Sequence, residues 1–433
     1  MRSHFASGAA RHQNAMASLE LKKTACPALL FVDDRPTTLA SALFARRDVL
    51  PILLRVRQVL SDLPDDYVHS TSHLPCFILD ADRPQEQEKE RFLAWQQELG
   101  ITISYFCNPS EPRQAITQRF ARSLALPALS KAQVSWLREK DVMKEKIASI
   151  GHPVARFKRV AHSQDIVDFA DRYGWPVIVK PIDGFACIET QKLNGPTDLP
   201  PHGLSSDRRW MVEEFIAAKE YECCALIFNG TVLDAYLSYF PSPPLQATDG
   251  DINANISMRF VPPDFPLNMK KIIQTIVDGM GLDHGYLHME LFLARDGQYW
   301  ISEVALRLAG CEIPANHGLA YGFPIFDALI DIHMGRMPAL NYTERRFVGD
   351  LLLPIRPGLV TGISTMDEIY SLQGVISGRL KVKQGDIIPK KRASHFSSGY
   401  VHVEGDSVEQ VEMRMRNILD IFRIEVDDKT ESC

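Results

Sequence analysis

The sequence predicts a mixed α/β chain, with a parallel α/β domain first and antiparallel α+β structure after it. Three observations carry that prediction. Apolar runs alternate with helical patterns up to about residue 130. Asn-Gly and Asp-Gly steps at 229–230 and 296–297 then divide paired apolar runs. From about residue 342 strands resume, and one helix closes the chain.

Pro27 to Asp34, Cys76 to Asp80 and Ile101 to Phe106 read as buried strands, and Gln85 to Leu99 as a helix between two of them. That alternation is the signature of a parallel sheet. No G-x-G-x-x-G follows the first strand, so a dinucleotide fingerprint is absent. Asp33, Asp34 and Asp80 stand at strand ends, where they could line a crevice; turn or cap roles are the commoner use.

The chain has 433 residues, enough for two to four domains. A net charge of -6 leaves no basic footprint for nucleic acid. Eight cysteines include no C-x-x-C pair, which speaks against zinc and thioredoxin-like roles and for reduced thiols in a cytoplasmic protein. No apolar run is long enough to span a bilayer. Residues 1–22 lack an apolar h-region and read as a flexible lead rather than a signal peptide.

Ser135 to Pro153 reads as one helix with a Gly stop, carrying Lys140, Lys144 and Lys146; Lys146 is taken as a solvated charge. Trp175 to Pro181 is an apolar strand ending in Lys180, placed to meet a phosphate or an ion-pair partner. Trp210 to Ile216 is another strand, with paired acids. Residues 223–236 form a hairpin through Asn229-Gly230. Residues 241–266, rich in Pro, Asp and Asn, read as a long loop, a candidate lid. A helix from Asn268 to Met280 leads into the stretch around which the rest is organised.

That stretch runs from Gly285 to Arg307. With Asp296 and Gly297 at the two central turn positions, Glu290 faces Glu303 on one side of the sheet. His288 and Arg307 point to that side. Leu287, Met289, Leu291 and Leu293, with Trp300, Val304, Leu306 and Leu308 across from them, form a packing face. Opposed carboxylates repel. A hard divalent cation, bound through one or two carboxylates and the phosphates of a substrate, removes the repulsion. The alternative is a solvated edge hairpin with both glutamates in water.

Taken in order, these pieces resemble the ATP-grasp enzymes, and within them the carboxylate–amine ligases that include bacterial L-amino-acid (dipeptide) ligases. The resemblance runs from about Ser130 to Gly335 and continues more weakly to about residue 425. It implies an ATP-grasp fold with boundaries at 23–130 (N-terminal α/β), 131–212 (small subdomain), 213–341 (large subdomain with the metal hairpin) and 342–433 (C-terminal α+β). By the family pattern, Lys140 and Lys180 would contact ATP phosphates. Glu213, Glu214, Phe215 and Ile216 would edge the adenine, and Glu220 would hold the ribose. Glu290 and Glu303 would bind Mg²⁺, with Mn²⁺ as a substitute, and Arg307 would stand beside the transferred phosphate. Two departures are visible. Ala305 stands where many relatives have a metal-binding Asn, and the loop after Lys180 lacks the usual Gly- and Ser-rich run.

The resemblance implies activation of a carboxylate by ATP as an acyl phosphate, attack by an amine, and release of ADP and phosphate. His288 could help in proton transfer or could hold Glu290 in place. Asn316, His317, Tyr321 and Phe323 allow an amino-acid-sized ligand. The expected partners are a small carboxylate and an amine, with no nucleic acid and no membrane. A separate carrier protein as acceptor, a homodimeric assembly and a non-catalytic nucleotide-binding regulator stay open as alternatives.

Overall fold

The computed structural model describes residues 26–248, 250–258, 265–344, 346–390 and 393–427. The lead over residues 1–22 lies outside them. The chain divides into two compact units. One is Met1–Ser135 with Phe326–Ala339, and the other is Trp136–Ile325 with Leu340–Cys433.

The first unit is built on a parallel sheet of β1 (Ala28–Val32), β2 (Leu50–Val56), β3 (Cys76–Leu79) and β4 (Ile103–Cys107), in the order β3-β2-β1-β4. β1 and β2 are buried along their whole length, the burial expected of parallel strands covered on both faces. β2 is absent from the sequence reading because Pro51 and Arg55 interrupt its apolar run. Arg55 is there to pair with Asp33, 2.7 Å away, which also accepts from the Tyr67 hydroxyl at 2.6 Å. Asp34 accepts from Ser110, and Asp80 pairs with Arg57. All three strand-end acids are therefore held by side chains of their own unit.

Among its described residues the second unit holds three antiparallel sheets. A small one comprises β5 (Phe157–Val160), β6 (Val177–Pro181), β7 (Gln191–Leu193) and β8 (Trp210–Glu214), ordered β5-β8-β6-β7. The large sheet contains β9 (Lys219–Phe228), β10 (Thr231–Tyr239), β11 (Ala254–Ser257), β12 (Gly285–Leu293), β13 (Tyr299–Leu306), β14 (Phe347–Leu353), β16 (Val375–Leu380) and β18 (Gly399–Gly405). Its order is β13-β12-β9-β10-β11-β14-β18-β16. β15 (Gly358–Ile363), β17 (Ile387–Ile388) and β19 (Ile424–Asp427) form the third, and the helix Val408–Ile421 packs against the large sheet. β9 and β10 turn through Asn229 and Gly230, with φ of 49° and 71°, the double positive that a two-residue I′-type turn requires.

Three expectations need correction. Ser135–Pro153 is not one helix: Lys131–Trp136 and Lys140–Ile150 are separate, so Lys140 is the first residue of the second helix, which Gly151 ends at a φ of 97°. Residues 241–266 are not one loop. They contain the short helix Pro244–Ala247 and β11, which bridges β10 and β14. Its polar sequence, Ala-Asn-Ile-Ser, hides a strand that is buried throughout. Positions 249 and 259–264 lie outside the described residues.

The third correction concerns the hairpin of β12 and β13. Leu293 pairs with Tyr299, so three residues, Arg295 to Gly297, make the turn, with Gly297 at a φ of 86°. That shifts the register by one. A bulge at Ser302 shifts it back, and Glu290 opposes Glu303 as expected. The bulge is what aims the acid. Ile301 and Glu303, two residues apart, would share a face in a regular strand. The extra residue sends Ile301 into the core, fully buried, and Glu303 to the other side. Trp300 pairs with Phe292 instead of joining the packing face. Leu287, Met289, Leu291 and Val304 are buried there as expected.

Candidate active site

The reactive face of the large sheet is organised by one row of acids. Glu222 on β9 opposes Glu290 on β12, and Glu290 opposes Glu303 on β13. Two residue pairs away, His288 lies between Cys224 and Ala305. Three carboxylates side by side need cations, and the surrounding elements supply them.

Lys140 Nζ is 3.0 Å from Glu303 Oε2 and donates to the carbonyl of Gly184 at 2.9 Å. Arg307 Nη2 donates to the other oxygen of Glu303 at 3.2 Å. Burial pushes the Glu303 carboxyl up, but Lys140 and Arg307 outweigh it and hold the group well below the usual carboxylate range. Glu303 is thus ionised and gripped from two sides.

A second cluster lies on the small sheet and the helix Lys140–Ile150. Lys180 at the end of β6 and Lys144 both pair with Glu213, the latter at 3.0 Å. All three are buried. Burial raises the Glu213 carboxyl, and the two ammonium groups bring it down to about 2. Glu214 turns the other way, accepting from the Arg156 backbone N–H at 3.0 Å. The Phe215 ring lies under Lys192, whose Nζ is 3.8 Å from the ring centroid, and the Ile216 carbonyl accepts from Ala218 at 3.0 Å. Glu220 sits on β9 two residues before Glu222. Burial and the neighbouring Glu290 push its carboxyl well above its ordinary value, against the pull of Lys180.

Glu213→Ala is expected to cost about 3–5 kcal/mol of unfolding free energy in urea, because it leaves the Lys144 ammonium buried without its carboxylate. A loss below about 1 kcal/mol would mean that Lys144 finds another partner.

His288 stands between two carboxylates. Its Nδ1 lies 2.7 Å from Glu222 Oε1, and its Nε2 lies 3.3 Å from Glu290 Oε1. Burial and Arg307 push the imidazole down, yet Glu222 and Glu290 raise it to about 9. Cys224 Sγ also donates to Glu222 Oε1 at 3.0 Å. Glu222, Cys224 and His288 bring their ligand-type atoms within 4.8 Å of one another, at separations that hydrogen bonds already account for. Glu290 and Glu303 are different. Their side chains keep 23% and 17% of their exposure and stand on one face of the sheet, a pair of hard oxygen donors that fits Mg²⁺ or Mn²⁺.

The structure therefore brings Lys140, Glu303 and Arg307 into direct contact and places Glu290 and His288 beside them. Lys180 and Glu213 are joined to each other. Asn316, His317, Tyr321 and Phe323 are buried. His317 bonds Ser238 at 2.9 Å and Tyr286 at 2.8 Å, and Tyr321 and Phe323 pack with Tyr236 and Tyr342. Sequence reasoning missed Glu222 and gave Lys144 no role. The position of Lys144, one helical turn after Lys140 on the same face, was a usable signal. Glu222 had none, because the pairing of β9 with β12 is not local.

Known proteins agree with this architecture. The ATP-grasp domain model matches residues 145–310, and the model of L-amino acid ligase C-terminal domain 2 matches residues 351–427. The chain thus carries an ATP-grasp domain, and its C-terminal part is similar to the second C-terminal domain of the L-amino acid ligases.

The L-arginine-specific L-amino acid ligase of Bacillus subtilis is 25% identical over 271 residues, 60% of this chain and 65% of that protein. A D-alanine--D-alanine ligase of Streptomyces griseus is 24% identical over 190 residues, 39% of this chain and 47% of that one. The chain thus spans less than two thirds of the length of either relative. Among solved structures, L-amino acid ligase from Bacillus licheniformis superposes with a TM-score of 0.73 at 17% identity, covering 93% of this chain and 99% of that one. N5-carboxyaminoimidazole ribonucleotide synthetase from Thermotoga maritima gives 0.64 at 15%, covering 93% and 100%. These likenesses establish the fold. Among the described residues no helix is long and apolar enough to cross a membrane.

Proposed function

We propose that the chain is an ATP-dependent carboxylate–amine ligase that joins a small acid, an amino acid, to an amine and releases ADP and phosphate. The observation that carries the reading is Glu303. It opposes Glu290 across the hairpin while touching both Lys140 and Arg307. One residue thereby links a metal-binding pair to two cations suited to phosphate oxygens.

In this reading Glu290 and Glu303 would hold Mg²⁺ or Mn²⁺, which would offset the negative charge of the nucleotide phosphates. Lys140 and Lys180 hold the phosphates. Glu213, Glu214, Phe215 and Ile216 edge the base, and Glu220 binds the ribose. Arg307 grips the transferred phosphoryl group with its planar fork. The substrate carboxylate attacks the γ-phosphorus, the bond to ADP breaks, and an acyl phosphate forms. The amine then attacks the acyl carbon, phosphate leaves, and the amine proton passes to solvent or to a neighbouring base. His288 is a poor candidate for that base, because Glu222 engages its Nδ1 and the two neighbouring carboxylates raise its pKa. None of these steps needs a nucleophilic Ser or Cys.

The test is ADP release across pairs of amino acids with ATP and Mg²⁺. One relative is named for L-arginine, so arginine belongs in the panel. Turnover that needs both an amino acid and the metal is expected. Nucleotide binding without turnover for any acid or amine would favour a regulatory nucleotide-binding protein instead.

A further inference from the structure

Glu222 is a fully buried carboxylate that the reaction proposed above does not use. Burying an ionised carboxylate costs several kcal/mol unless it is well partnered. Glu222 is well partnered. One oxygen takes His288 Nδ1 at 2.7 Å and the Cys224 thiol at 3.0 Å, and the other accepts from Asn255 Nδ2 at 3.2 Å. Its register is equally specific: it stands directly across from Glu290. His288 reaches over this pair, Nδ1 on Glu222 and Nε2 3.3 Å from Glu290.

We infer that Glu222 is a positioning residue for the metal ligand Glu290, acting through His288. The carboxylate of Glu222 fixes the imidazole rotamer through Nδ1. The ring then stands with Nε2 3.3 Å from Glu290 Oε1 and limits the positions that the Glu290 carboxylate can take opposite Glu303. Asn255, held in β11, stops Glu222 from rotating away. Outer residues of this kind typically change metal affinity by about 10- to 100-fold when removed. The inference rests on the assignment of Glu290 and Glu303 as metal ligands.

The experiment measures Mn²⁺ affinity by electron paramagnetic resonance in the presence of ADP. ADP affinity in EDTA and the melting temperature are recorded alongside. Glu222→Gln and His288→Asn should each weaken Mn²⁺ by about 10- to 100-fold and leave metal-free ADP affinity within about twofold. The double variant, E222Q with H288N, should be no weaker than H288N alone, because Glu222 acts only through the imidazole. This comparison holds even if E222Q by itself folds poorly, since the double variant removes both members of the buried Glu222–His288 pair and leaves neither without its partner.

Unchanged Mn²⁺ affinity in E222Q overturns the inference. So does a double variant about tenfold weaker than H288N, or a loss of Mn²⁺ affinity matched by an equal loss of metal-free ADP affinity. A wild-type protein that binds no Mn²⁺ with ADP present would overturn the metal assignment itself. The two failures are therefore distinguishable.

Discussion

Glu303→Gln should lower metal-dependent ADP formation by at least about 100-fold while leaving the chain folded. The glutamine keeps the shape and one acceptor oxygen. It loses the charge that neutralises Lys140 at 3.0 Å and Arg307 at 3.2 Å. It also halves the anionic donor set offered to the metal, because Glu290 then stands alone on the hairpin. A titration of Mg²⁺ at saturating ATP reads the effect. Activity near wild type at millimolar Mg²⁺ would remove Glu303 from the metal site. Recovery only at much higher Mg²⁺ would locate the loss in metal binding.

Arg307→Lys should cost about 100- to 1000-fold in kcat with a much smaller change in the KM for ATP. The substitution keeps the charge but not the flat, two-pronged donor geometry. In the structure one prong, Nη2, lies on Glu303, and Nη1 donates to the carbonyl of Leu308 at 2.8 Å. Two anchors therefore hold the guanidinium plane, and lysine can replace only one. A loss under about tenfold would argue that Arg307 positions Glu303 and does not contact the transferred group. A rise in KM without a fall in kcat would assign it to ground-state binding.

The parts of this site legible in the sequence were local. The Asp-Gly step brought Glu290 and Glu303 together although the turn length was read one residue short, because the bulge at Ser302 compensates. Lys180 was placed by the apolar run that ends in it. Lys140 came from the family pattern, and the single long helix drawn around it hid the break before it. What could not be read depends on contacts between distant segments. Glu222 gains its meaning only when β9 lies beside β12. β11 looks like loop by composition, since its buried Asn255 serves the Glu222 carboxylate instead of an oily core. The parallel sheet of the first unit was evident from apolar runs alone, except for β2, whose Arg55 serves the ion pair with Asp33.

The grip of Lys140 and Arg307 on Glu303 has a consequence for how ligands arrive. A free divalent ion would have to draw the carboxylate away from both positive partners and leave them uncompensated. A bare polyphosphate would draw the same two cations off and leave the acid exposed to its neighbour Glu290. Arriving as one complex avoids both penalties, so metal and nucleotide should bind with strong positive cooperativity. By thermodynamic linkage each then tightens the other by the same factor.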